Sequence, residues 1–180
     1  MGHQRVKERP IVMIEINENE WTPIADLDKG LIDRSIITKR EDVALLFLTA
    51  LPGSFYTTTQ LQKALFLISK NIPEICTIPY NFVAADYGPS DYSISQDLDK
   101  LIESGVATWV STHAGYARHL KYTATYDGYK FVDIYKINAK HKDYIYRVAK
   151  WILPMDMIRL VGAIVRAYPE YGTSMIFRKD

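Results

Sequence analysis

The sequence predicts a mostly helical α+β chain in which three helices are followed by a two-stranded β-hairpin. Three observations carry that expectation. Apolar residues recur at helical spacing in successive stretches after Glu41, interrupted at Pro52-Gly53 and Pro73. The third stretch ends at Gly105 and gives way to two β-rich runs, residues 106–112 and 117–125. The rest of the chain returns to helical periodicity. Three helices, a hairpin "wing" and extra C-terminal helices make an expanded winged helix-turn-helix, with a three-helix core and a two-stranded β-wing.

Residues 1–9 are polar and basic and read as a mobile terminus. Residues 11–16 (IVMIEI) read as a strand. Residues 21–39 mix turn formers with short apolar pieces, and Trp21 and Ile24 are candidates to cover part of the core. Val43, Leu46, Phe47 and Ala50 define the first helix, which Leu51-Pro52-Gly53 stops. A capping box opens the second helix, as Thr57 with Gln60 or as Thr59 with Gln62. That helix buries Leu61, Ala64, Leu65 and Ile68 and ends before Pro73.

Residues 73–79 are a break, residues 80–84 a short extended piece, and Asp86-Tyr87-Gly88-Pro89 a turn. Ser90 or Asp91 caps the third helix, whose stripe is Ile94, Leu98, Leu101 and Ile102. Gly105 terminates it as a C′ residue. The hairpin turns over residues 113–116. After Asp127-Gly128, Phe131, Ile134 and Tyr135 mark a helix, and Tyr144, Ile145, Val148 and Ile152 another. Pro154 suits the first turn of a last helix carrying Met157, Ile158, Val161, Ile164 and Val165, ended by Pro169. The implied division is an N-terminal extension over 1–40, a winged-helix core over 41–137, and a C-terminal helical extension over 138–180 packed on that core.

Composition narrows the function. A chain of 180 residues that is 48% hydrophobic buries enough surface to need no staples. The balance of 22 basic against 21 acidic residues lacks the excess of a non-specific nucleic-acid binder, so any basic surface must be local. The single cysteine, Cys76, excludes an internal disulfide and favours a reducing compartment. No long apolar run follows the first basic residues, and none is long enough to span a bilayer. The expectation is a cytoplasmic protein without a membrane segment.

A family resemblance adds to this reading. Gln62-Lys63-Ala64-Leu65-Phe66-Leu67 resembles the "LQKLLYL"-type second helix of the Panacea (SocA-like antitoxin) and YwgA-like families. Residues 82–101, with Asp86-Tyr87-Gly88-Pro89 and then Gln96-Asp97-Leu98-Asp99-Lys100-Leu101, are similar to their "YGP" motif and following helix. Tyr168-Pro169-Glu170-Tyr171 with Ser174 looks like a "YPEY…S" ending. The resemblance spans residues 41–176 and gives the first 40 no counterpart. It implies an expanded winged helix. Panacea members are antitoxins that bind toxins directly, or adaptors that hand a toxin to a protease; many family members sit in prophages or defence loci.

Two binding surfaces follow as candidates. For a protein partner, such as a toxin, they are Tyr87, Pro89, Tyr92, Gln96, Lys100 and Tyr116, because the chain holds 13 tyrosines and exposed tyrosine gives large contact area at low entropic cost. Most of the tyrosines near the wing (Tyr116, Tyr122, Tyr126, Tyr129, Tyr135) read as half-buried core residues with the hydroxyl at the surface. For DNA, as the alternative, they are Arg118, His119, Lys121 and Lys130, in a regulator that acts as a dimer.

The third helix would ordinarily read the major groove, with Ser93, Gln96, Asp97, Lys100 and Glu103 pointing outward. It carries Asp91, Asp97, Asp99 and Glu103 against Lys100 alone, which opposes phosphate. The wing and later helices are basic: Arg118, Lys121, Lys130 and Lys136, then Lys140, Lys142, Arg147 and Lys150. That separation reads as a phosphate-facing wing, as two faces steering a protein partner, or as an ordinary solvated surface.

Catalysis, cofactors and metals are not expected. Cys76 lies among prolines in an apolar stretch and reads as a small buried residue. His113 and His119 flank the hairpin turn without a third ligand. Asp97 and Asp99 point to different sides of a helix. No phosphate-binding loop or zinc-protease motif is present.

Overall fold

A computed structural model describes residues 37–114 and 117–173, with backbone alone at 114, 117 and 118. The expected strand at 11–16, the roles of Trp21 and Ile24, and the mobile terminus lie outside the described residues. The fold is α+β and mostly helical. Among the described residues it has six α-helices and one three-stranded antiparallel sheet.

Helix α1 (Arg40–Thr49) is buried from Asp42 through Leu48, so it runs through the core rather than along its edge. The Leu51-Pro52-Gly53 break releases the chain into the short strand β1 (Tyr56–Thr57). Helix α2 (Thr58–Asn71) opens with the first of the two possible capping boxes. Thr57 Oγ1 accepts from the Gln60 N–H at 3.2 Å, and Gln60 Oε1 accepts from the Thr57 N–H at 2.9 Å. A 3₁₀ turn at Pro73–Ile75 follows.

Helix α3 (Ser93–Glu103) buries Ile94, Leu98 and Leu101. It ends as the sequence predicts. Gly105 takes φ +76°, its N–H bonds to the Ile102 carbonyl at 2.9 Å, and the Val106 N–H bonds to the Leu101 carbonyl at 3.1 Å. This Schellman geometry needs a left-handed residue at C′.

Strands β2 (Ala107–Ala114) and β3 (Ala117–Ala124) form the hairpin, paired from Ala107–Ala124 to Ala114–Ala117. β2 thus runs past His113, and the turn is shorter than the four residues expected. β1 joins on the other side of β3, with Tyr56 opposite Tyr122, giving the order β1-β3-β2. Helix α4 (Tyr126–Val132) starts where β3 ends. The Thr125 hydroxyl donates to the Gly105 carbonyl at 2.7 Å and accepts from the Gly128 N–H at 3.2 Å, tying the end of α3 to the start of α4.

Helix α5 (Ala139–Ile152) buries Tyr144, Ile145, Val148 and Ile152, as its periodicity requires. Helix α6 (Met157–Ala167) departs from expectation. Pro154 lies ahead of it, and Asp156 is the N-cap, accepting from the Arg159 N–H at 2.8 Å. A carboxylate cap sets the start more strongly than a ring that only fixes φ. The helix therefore turns Leu160, Val161, Ala163 and Ile164 inward and leaves Met157 and Ile158 exposed.

One apolar cluster runs through all six helices. Phe66 of α2 stands near its centre, with the rings of Phe82, Tyr168 and Tyr171 at 5.3, 5.0 and 4.8 Å. No helix among the described residues is long and apolar enough to cross a membrane.

Candidate functional site

The segment joining α2 to α3 is held by polar side chains, of which Lys63 and Asp91 are buried and Gln62 is half-buried. Gln62 bonds the Asp91 backbone both ways: its amide donates to the Asp91 carbonyl and its Oε1 accepts from the Asp91 N–H, each at 2.9 Å. The Asp91 carboxylate, itself buried, accepts from the Asn81 N–H at 2.6 Å and from the N–H and hydroxyl of Ser93. Asp91 therefore takes the N–H of Ser93, the first residue of α3, but the N-cap position is Tyr92, which makes no side-chain cap, rather than Ser90 or Asp91 as expected. Val83 and Ser90 exchange both backbone bonds at 2.9 and 3.0 Å. Asp86 accepts from the Thr173 hydroxyl at 3.0 Å, and Ala85 bridges to Gly172. Lys63, only 1% exposed, donates to the Pro89 carbonyl at 2.9 Å.

This braced loop presents tyrosines. Tyr87 is 55% exposed and Tyr92 78% exposed, and Gln96 and Lys100 are exposed on α3. Pro89 is corrected: it is buried, because Gly88 at φ +78° tucks the turn against Val161 and Val165, and it contributes its carbonyl to Lys63 rather than a surface. Tyr116 lies outside the described residues. The bracing residues Gln62, Lys63 and Asp91 were not singled out as such from the sequence; their signal was polar residues falling on or next to the buried stripe of a helix.

The acidity of α3 is also corrected. Asp97 points inward and is 0% exposed, because Arg40 of α1 takes it at 2.7 Å (Nε–Oδ2) and 3.2 Å (Nη2–Oδ1). Lys100 Nζ lies 3.1 Å from Asp97 and 3.6 Å from Glu41. With Asp91 buried as well, Asp99 and Glu103 are the exposed carboxylates that remain on the helix.

Strand alternation puts His119 and Lys121 on one face of β3, while the side chain of Arg118 lies outside what is described. His113 pairs with Arg118 and His119 with Thr112, so the two histidines point to opposite sides instead of approaching each other. Lys121 is half-buried. Lys130 sits 4.2 Å above the Tyr126 ring and 3.9 Å from Asp127.

Several buried groups are displaced from their ordinary protonation ranges. Burial lowers Lys63 to about 8 and raises the Cys76 thiol. Burial also raises Asp42, which accepts a hydrogen bond from Tyr135. Cys76 lines a cleft of about 200 Å³ with Tyr80, Phe82, Lys70 and Tyr171, and donates to the Ile78 carbonyl at 3.3 Å. A thiol held protonated, without an adjacent base, is a poor nucleophile. Among the described residues no group of three or more His, Cys, Asp or Glu could hold a metal ion. No family model matches the chain, and no curated protein matches it.

Proposed function

We propose that this chain is a winged helix-turn-helix module that acts by binding a protein partner, without catalysis. The order α1-β1-α2-α3-β2-β3, with β1 adding to the hairpin beside β3, supports the fold. The observation that carries the function is the pair of exposed tyrosines, Tyr87 and Tyr92, on a loop braced by half-buried Gln62 and by buried Lys63 and Asp91. Burying polar groups is costly unless each is bonded, so a loop built this way is fixed before contact and loses little entropy on binding. Rigid tyrosines are favoured anchors of protein interfaces. Gln96 and Lys100 extend the surface along α3. The resemblance to Panacea proteins makes an antitoxin-like or adaptor role in the cytoplasm the specific form of this proposal. Affinity capture from cells expressing the chain tests it: a stoichiometric protein partner that Tyr87→Ala/Tyr92→Ala loses is the expected result, and the absence of any such partner contradicts it.

Burial of Asp91 and Asp97 favours a second reading, a DNA-binding regulator, more than the bare sequence does, since it removes two carboxylates from the surface of α3. Phosphate contact would fall to Arg118, His119, Lys121 and Lys130. A duplex gel shift at low salt, abolished by Lys121→Glu/Lys130→Glu and falling steeply as salt rises, is its signature. No shift at low salt excludes it.

A further inference from the structure

Lys63 is the buried cation of the described core. Its side chain is 1% exposed, and no ion-pair partner lies within reach among the described residues. Of its three donors, one is accounted for, by the Pro89 carbonyl at 2.9 Å. An unpaired ammonium in an apolar core is rare and costly. Its placement suggests what it does. The other ties on the loop run through Asp91, Ser90, Ala85 and Asp86, with the Gly88 N–H donating to the Ala85 carbonyl at 3.0 Å and the Gly88 carbonyl accepting from the Ser90 hydroxyl at 3.3 Å; none of them comes from α2 to Gly88 or Pro89. Lys63 reaches the middle, where a Cβ on Gly88 would stand 3.6 Å from its Cε.

We propose that Lys63 is a positioning residue for the tyrosine-bearing loop, and that its grip on Pro89 weakens when the ammonium gives up its proton, so that the presentation of Tyr87 is gated by pH. The consequence for binding rests on the proposed function; the behaviour of the loop does not.

A charged donor holds a carbonyl roughly twice as strongly as a neutral one. Burial alone brings the proton loss to about pH 8. The charged and titratable groups on the loop and α6 beside Lys63 are Asp86, Tyr87, Asp91 and Tyr92, then Arg159 and Arg166, followed by Tyr168, Glu170 and Tyr171, with Lys70 on its own helix. None of them contributes to its displacement. No carboxylate therefore offsets the cost of burying its charge.

Amide hydrogen exchange, followed residue by residue and expressed as protection factors, tests this on the chain alone. Between about pH 7 and about pH 9.5, protection at Gly88 and Ser90 is expected to fall about fivefold to tenfold, while Leu65 and Ile68 in α2 keep theirs. In Lys63→Met the loop's protection is expected to be independent of pH. Constant protection in the native chain, or the same fall in Lys63→Met, overturns the proposal. A second measurement needs no variant: the carbon-13 shift of Lys63 Cε should titrate near 8, and titration at the ordinary lysine value of 10.5 overturns it. Because neither readout involves a partner, failure of the binding proposal would leave both standing.

Discussion

Arg40 grips Asp97 across the packing of α1 on α3, with two bonds at 2.7 and 3.2 Å onto a carboxylate that is 0% exposed. Tyr80 completes the arrangement: its ring lies 5.1 Å from the guanidinium, and its hydroxyl donates to the Arg40 carbonyl at 3.2 Å. The pair orients the helix that carries Gln96 and Lys100 and that Tyr92 immediately precedes. Removing Arg40 leaves the buried Asp97 carboxylate with Lys100 alone, 3.1 Å away, and removing Asp97 takes the carboxylate from a largely covered guanidinium. Arg40→Met is expected to cost about 3 kcal/mol, and Arg40→Met/Asp97→Leu together much less, by denaturant unfolding. Additive losses in the double variant would show that the pair is not coupled.

Gln60 serves two helices. Its Oε1 closes the capping box of α2, while its amide lies 3.2, 3.3 and 3.3 Å from the carbonyls of Ile152, Leu153 and Met155 at the end of α5. Thr57→Ala should cost about 1 kcal/mol, the value of a cap. Gln60→Ala should cost about 2–3 kcal/mol, because buried carbonyls also lose their donor. Equal losses would mean that the α5 contacts are idle.

Lys63 makes stability depend on pH with a defined sign. It is lowered to about 8 in the folded chain from 10.5. Between those values the unfolded chain binds more protons, so stability rises with pH across that window. Below about 8 both states are protonated and the burial cost is constant. Tyr56, raised to about 12 by burial, acts oppositely above about pH 10. The difference between native chain and Lys63→Met isolates the lysine. Lys63→Met should be more stable by about 1–2 kcal/mol at neutral pH, after subtracting the lost Pro89 bond, and the gap should close as pH approaches 10. A less stable variant at pH 7 would refute this.

Gly128 tolerates no side chain. A Cβ there would lie 2.1 Å from the backbone oxygen of Val106, at the junction where Thr125 ties α3 to α4. Gly128→Ala is expected to destabilise by about 3 kcal/mol or more, since backbone on both sides must shift. A melting temperature within a degree or two of the native value would contradict the packing described.

Much of the element order was legible because it is written in local chemistry. The Thr57/Gln60 box, the left-handed Gly105 and the Ile94–Leu98–Leu101 stripe each act within a few residues. Pro154 misled because a proline and a carboxylate compete to start α6, and Asp156 supplies the cap. The charge of α3 was misread for a tertiary reason. Asp97 sits on a face that helical periodicity marks as polar, and only the arrival of Arg40, 57 positions earlier, makes that face an interior one. For the same reason the tyrosines were legible as candidates, whereas the side chains that fix their loop were not: Gln62 and Lys63 look like ordinary polar helix residues until Asp91 and Pro89 are folded against them.

On the proposed function, the braced tyrosines bind a protein partner. The most direct test is the dissociation constant of the captured partner, measured calorimetrically for the native chain and for Tyr92→Ala, with circular dichroism confirming that the variant is folded. The expected result is a weakening of about thirtyfold or more, the signature of an anchor residue worth about 2 kcal/mol. A change within about twofold would contradict the claim and place the contact elsewhere.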